Sequence, residues 1–84
     1  MCDAQDFEVK SVNYDALLDK YYVVLTHPAQ NLTFYVIVMF DDLGLHVSLR
    51  EAEVVCMKLP VRNEFHLLAI VAPLVSESID NYHQ

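Results

Sequence analysis

The segment from Leu32 to Phe40 constrains the fold of this chain more than any other part of its sequence. Its residues, LTFYVIVMF, are apolar or aromatic except for Thr33, and most are types that favour β-strands. Successive side chains of a strand point to opposite faces, so both faces of this strand are apolar. We therefore expect either a central strand covered on both sides or a strand with one face against another subunit.

A second apolar strand is predicted just before it, over residues 21–26 (YYVVLT). The connecting residues 27–31 include Pro28 and Asn31, which break a strand and favour a turn. Two such runs separated by a short turn predict an antiparallel hairpin. Three weaker patterns accompany it: a strand through Phe7, Val9 and Val12, a helical turn over Tyr14, Ala16, Leu17 and Leu18 capped by Asn13, and a short strand from Leu45 to Val47 after a turn at 41–44.

The main helix is predicted at about 49–59. Ser48 and Glu51 have the spacing of a capping box, and Pro60 provides a stop. One apolar stripe runs along this helix, and it comprises Leu49, Ala52, Val55, Cys56 and Leu59. Residues 65–72, which end before Pro73, could form a strand or a helix, and their short length and the β-branched pair Ile70 and Val71 favour a buried strand.

Together these patterns predict an α+β fold. We expect a small two-layer domain with a mostly antiparallel sheet of 3–5 strands and one principal amphipathic helix at about 49–59 packed on it. A chain of 84 residues predicts a single domain, 1–84. Within it, residues 1–5 are expected to be flexible and residues 76–84 to form a frayed helix or a tail.

The charge is strongly acidic and unevenly distributed. The net charge is −7. Residues 1–19 hold five acids against Lys10, and residues 63–84 hold three acids and no Lys or Arg. Binding to DNA or RNA needs clustered cations, so direct nucleic-acid binding is disfavoured and a basic protein partner is favoured. The candidate acidic contacts are Asp15, Asp19, Asp41, Asp42, Glu77 and Asp80.

Apolar composition points to association as well. Hydrophobic residues make up 55% of the chain, whereas soluble domains average about 45–50%. A chain this short buries only about 60–65% of its unfolded surface, so some apolar side chains should lie on an interface. On the predicted helix, Arg50, Val54 and Met57 lie away from the core stripe and are a candidate contact patch.

Cysteine usage and hydropathy favour a cytoplasmic protein. Cys2 and Cys56 are far apart, unlike the closely spaced cysteines of secreted disulfide scaffolds, and no signal-peptide pattern opens the chain. The longest apolar run, 34–40, is too short to cross a bilayer. We therefore expect no membrane partner.

No residue pattern predicts catalysis, a metal or a cofactor. The four histidines, His27, His46, His66 and His83, are too far apart for a local metal motif, although His46 and His66 could meet across strands. Cys56 lies on the apolar face of the predicted helix, where a thiol is not activated. The paired acids Asp41 and Asp42 are more typical of a solvated turn than of an acid–base pair.

The sequence therefore favours a non-enzymatic acidic protein-binding module that regulates or inhibits a larger protein. Small acidic inhibitors of nucleic-acid-handling complexes, such as those that phages use against host defence, share this physical profile. A structural subunit that acts through homo-oligomerisation, as a dimer for example, and a toxin-immunity protein are the alternatives.

Overall fold

The computed structural model describes residues 2–83, which form a four-stranded antiparallel sheet and two α-helices. The strands lie in the order β1-β2-β3-β4. The elements are β1 (Glu8–Asp15), β2 (Lys20–His27), β3 (Leu32–Asp41), β4 (Gly44–Leu49), α1 (Ala52–Lys58) and α2 (Glu64–Tyr82), with short 3-10 helices at Ala4–Asp6 and Pro28–Gln30. The predicted α+β class with a mostly antiparallel sheet is confirmed.

The predicted hairpin forms the centre of the sheet. Its register pairs Val23 with Val36 and Leu25 with Phe34, and these four side chains are buried on the same face. Both helices pack on that face, α2 against β1, β2 and β4 and α1 against β3. The helices contribute the buried side chains Val55, Leu67, Val71, Val75 and Ile79. We call this covered side the inner face.

The outer face of the sheet is not covered by any element of residues 2–83. Alternate positions of the two central strands, Tyr22, Val24, Tyr35, Ile37 and Met39, lie there and are half-buried by their neighbours. The apolar character of β3 on both faces therefore has two explanations. One face belongs to the core, and the other is an exposed sheet surface.

The principal helix is not where the sequence predicts it. Residues 65–72, for which the sequence favours a strand over a helix, lie in the 19-residue helix α2, which continues through Pro73 to Tyr82. The predicted helix at about 49–59 is the shorter α1, which stops at Lys58 before Pro60. The reason lies in tertiary packing. Four core residues of α2 recur at every fourth position, Leu67, Val71, Val75 and Ile79, and Pro73 lies on the exposed side.

Two predicted helix caps are also wrong. Ser48 pairs with Ile37 within β4, and the residue that precedes α1 is Glu51, in the left-handed region with φ 56° and without a side-chain cap. Asn13 lies within β1 opposite Tyr22, and the predicted helical turn is instead the end of β1 followed by the β1–β2 turn, which contains Ala16, Leu17 and Leu18. At both positions the backbone takes part in strand pairing instead of beginning a helix.

The ends of the described chain are structured. Cys2 is buried, and the Asp3 side chain caps the 3-10 helix Ala4–Asp6 by accepting from the Gln5 N–H. Residues 76–82 belong to α2. Among residues 2–83, no helix is both long enough and apolar enough to cross a membrane.

Candidate protein-binding surface

Both outer hairpin turns lie at the same end of the sheet. Asp15 pairs with Lys20 beside the β1–β2 turn, and Asp41 pairs with Gly44 beside the β3–β4 turn. Because Lys20 also pairs with Met39 on β3, the two turns are neighbours. The last turn of α2 reaches this end too, since the Tyr82 ring lies 6.0 Å from the Tyr21 ring.

An aromatic cluster around Tyr21 joins these three segments. The Tyr21 ring centroid lies 4.8 Å from that of Tyr14, 6.1 Å from that of Phe40 and 5.6 Å from that of His83. The Tyr21 hydroxyl also hydrogen-bonds to His83 Nε2. Edge-to-face aromatic contacts add to the stabilisation from burial, so the cluster fixes the end of α2 onto the hairpins.

All six predicted acidic contacts lie at this end. The segments 14–21, 40–46 and 75–82 define what we call the acidic end, and they contain six Asp and Glu residues against one Lys, Lys20. The sequence shows these acids as three separate pairs. The sheet topology and the course of α2 bring the pairs together.

Three of the carboxylates accept hydrogen bonds within or beside the two hairpin turns. Asp15 accepts hydrogen bonds from the Leu17 and Leu18 N–H groups at 3.0 and 3.2 Å. Asp19 accepts from the Tyr14 hydroxyl at 2.6 Å. Asp41 accepts from the Leu43 N–H at 2.7 Å, and the other oxygen of this carboxylate lies 2.9 Å from His46 Nε2. Asp42, Glu77 and Asp80 are exposed.

These contacts shift the pKa values of Tyr14 and Asp41. Hydrogen bonding to the Asp19 carboxylate raises the pKa of Tyr14 to about 12, because the neutral phenol is the donor. The Leu43 N–H, and after it the contact with His46, lowers the pKa of Asp41. The Asp41 carboxylate is thus held in its charged form at this end of the molecule.

An apolar groove of about 450 Å³ opens beside these acids, between α2 and the inner side of β4. Phe40, Leu45 and Val47 line one wall and are 50%, 58% and 36% exposed. The facing wall is α2, with the small exposed residues Ala69 and Ala72 and, at the acidic end, Asp80. Large apolar side chains exposed side by side are characteristic of binding surfaces. The sequence does not indicate this groove, because one of its walls is helix α2, where the sequence favours a strand at residues 65–72.

The predicted contact patch Arg50, Val54 and Met57 lies elsewhere. The Arg50 N–H donates to the Tyr35 carbonyl at 3.2 Å, six residues along β3 from Asp41. At about 3.3 Å per strand residue, that separation is roughly 20 Å. Val54 and Met57 are exposed on α1 but do not line the groove. The acids and this patch are therefore separate surfaces.

At the opposite end of the sheet, Cys2, Asp6 and His27 come together. Their potential ligand atoms all lie within 4.8 Å of one another, and no other such trio of His, Cys, Asp and Glu is found within residues 2–83. His46 contacts Asp41, whereas His66 Nδ1 accepts from the Arg62 N–H at 3.0 Å. These two histidines thus each have a partner from their own part of the chain.

The thiols are not activated for nucleophilic chemistry. Burial raises the pKa of Cys2, and the nearby Asp6 carboxylate raises it further. Burial and Glu64 raise the pKa of Cys56. A reactive cysteine needs the opposite shift, which a positive environment provides.

Comparison of the chain with protein-family models, with curated proteins and with solved structures gives no match.

Proposed function

We propose that this chain is a non-enzymatic protein-binding module that holds a basic segment of a larger protein in the groove at its acidic end. The observation that carries the proposal is the coincidence of two features. The apolar groove beside Phe40 and Leu45 and the six carboxylates of segments 14–21, 40–46 and 75–82 lie at one end of the fold.

The two features serve different parts of binding. Burial of Phe40, Leu45 and Val47 provides affinity through the hydrophobic effect. Exposed carboxylates such as Asp42 and Asp80 attract cations from a distance and orient the encounter, so they act mainly on the association rate. The expected partner segment therefore carries apolar side chains flanked by Lys or Arg.

The sign of the charge favours a protein partner over a nucleic acid. Six acids beside a single Lys repel phosphate, whereas a basic segment of a nucleic-acid-handling protein is attracted to them. Holding that segment would inhibit the larger protein by keeping nucleic acid away from it. A phage-type inhibitor of host defence and an immunity protein that neutralises a toxin are two settings for this same interface.

Affinity capture with the tagged chain, followed by mass-spectrometric identification, tests the proposal when two variants are run in parallel. Ala72→Glu places a charged side chain on the α2 wall of the groove, and Met57→Glu places the same side chain on the exposed far surface of α1. We expect a basic protein that is retained by the wild type and by Met57→Glu at low salt. Retention of this protein should be lost with Ala72→Glu and should decrease at high salt.

Retention that is equal for both variants and insensitive to salt would contradict the proposal. Circular dichroism of each variant checks that the fold is kept, and Ala72 is exposed, so the substitution does not enter the core.

A second candidate function is assembly through the outer face of the sheet, favoured by the uncovered side chains Tyr22, Tyr35 and Ile37. Ile37→Asp should then dissociate an oligomer in sedimentation experiments, whereas Thr33→Asp, on the same face at the far end of β3, should have little effect. Phe34, on the other face of the same strand, is unsuitable for this test because it is a core residue.

A further inference from the structure

The end of the sheet opposite the groove holds a side-chain cluster that the proposed function does not use. Cys2 and His27 are buried, with 6% of each residue exposed, and the third member of the cluster, Asp6, is exposed. One potential ligand atom from each residue lies within 4.8 Å of the other two. Thiolate, imidazole and carboxylate are all common ligands of divalent transition metals.

The His27 ring supplies an independent reason to expect a ligand. Its Nδ1 atom is buried and has no hydrogen-bond partner. A neutral imidazole has one N–H donor and one acceptor lone pair, and leaving a buried polar atom without a partner costs free energy. A bound cation gives such a ring a partner.

The backbone around the cluster is already fixed. His27 ends β2 opposite Leu32, and its ring packs edge-on against Phe7 at 5.0 Å between centroids. On the other side, Asp3 and Asp6 form a capping box across the 3-10 helix that follows Cys2. One Asp6 oxygen accepts the Asp3 N–H at 2.9 Å, and a carboxylate has further lone pairs for a cation.

We propose that Cys2, Asp6 and His27 form a binding site for Zn²⁺ or a similar divalent transition metal. The proposal is independent of the groove at the acidic end. Three protein ligands leave the fourth tetrahedral position to water or to a group from a partner. The bound metal ties the segment before β1 to the β2–β3 turn.

The geometry needs only a small contraction. With metal–ligand distances of about 2.0–2.3 Å, the donors of a tetrahedral site lie about 3.3–3.8 Å apart. Because the donor atoms lie within 4.8 Å of one another, the farthest pair has to close by at most about 1–1.5 Å. Asp6 is exposed and can move inward, while the Cys2 thiol loses its proton to solvent as the metal binds.

Cobalt titration of the reduced, metal-free protein tests the site, because a Co²⁺–thiolate bond produces a charge-transfer absorption band in the near ultraviolet. We expect one Co²⁺ per chain with this band and its loss when Zn²⁺ is added. Cys2→Ser and His27→Gln should each weaken binding by at least about tenfold, since even second-shell substitutions have effects of that size. Cys56→Ser and His46→Gln are the matched controls and should bind like the wild type.

A second measurement needs no variant. Alkylation of the two thiols, followed by mass spectrometry of the peptides, should show that Zn²⁺ slows modification of Cys2 and leaves Cys56 unchanged. Absence of the cobalt band in the wild type, equal alkylation of Cys2 with and without Zn²⁺, or a band that depends on Cys56 rather than Cys2 would each overturn the proposal.

Discussion

The chain reverses direction at both ends of the sheet, but apolar side chains are exposed at one end and buried at the other. At the acidic end, apolar side chains face solvent, with Leu17 93% and Leu43 89% exposed, and carboxylates hold the turns. At the other end, Phe7 and Leu32 are buried and the ring of His27 is enclosed with them.

This difference separates stability from recognition. The end around Phe7, Leu32 and His27, which we call the closed end, contributes buried surface to folding and leaves little apolar surface for a partner. The acidic end, whose apolar side chains are exposed, contributes less to folding and more to binding. Substitutions at the two ends should therefore affect different measurements, and the following predictions test that separation.

The largest expected effect is on stability at the closed end. Phe7 is 4% exposed and its ring contacts those of His27 and Phe34. Phe7→Ala should lower the free energy of unfolding by about 3–5 kcal/mol, measured by urea denaturation. Leu17→Ala at the acidic end should change the free energy of unfolding by less than about 0.5 kcal/mol. Similar losses for the two variants would show that the ends do not differ in this way.

The next effect is on binding through the groove. Leu45→Thr keeps a strand-forming residue in β4 and removes apolar surface from the groove wall. We expect this substitution to weaken binding of the captured partner by about 1–2 kcal/mol, roughly tenfold in Kd, as measured by calorimetry. Met57→Thr, on the exposed side of α1, should leave Kd unchanged. An equal loss in both would move the interface away from the groove.

A smaller effect is expected on the rate of association. Asp42→Asn with Asp80→Asn removes two exposed charges beside the groove but keeps the turn contacts of Asp15 and Asp41. The association rate at low salt should fall by up to about tenfold and the difference should shrink at high salt. Glu53→Gln on α1 provides the control, and surface plasmon resonance gives the rates. A loss that appears only in the dissociation rate would argue against steering.

The smallest effect is a pH dependence of stability. The pKa of Tyr14 is raised from 10.0 to about 12 by its hydrogen bond to Asp19. The folded state thus favours the neutral phenol, and this contribution is complete below pH 10.0 and is lost as the pH rises through about 12. The difference in melting temperature between wild type and Tyr14→Phe should be constant at neutral pH and disappear in that alkaline range. A difference that persists above it would exclude this bond as the cause.

The sequence predicts the central hairpin and the short strand that follows it well. The hairpin of β2 and β3 follows from β-branched residues, aromatic residues and Pro28, and the short strand at Leu45 to Val47 is confirmed within β4. These elements are specified by local preference and turn chemistry.

The prediction failed where tertiary packing decides the structure. Ile70, Val71 and Pro73 favour a strand and a stop, but the segment is helical, and a helix buries Leu67, Val71, Val75 and Ile79 together in the core. The cluster of Cys2 and His27 was missed for a similar reason, since 25 positions separate them and only the sheet topology brings them together. The sequence identifies the six acids, but their meeting at one end depends on the sheet topology and on the course of α2.

Hydrogen exchange of the chain with and without its captured partner tests the use of the acidic end most directly. Bound partner should slow amide exchange in residues 40–47 and 68–80, which form the two walls of the groove, and leave the surface around α1 unchanged. Protection confined to α1 or to the outer face of β3, with the groove walls exchanging as in the free chain, would contradict the account.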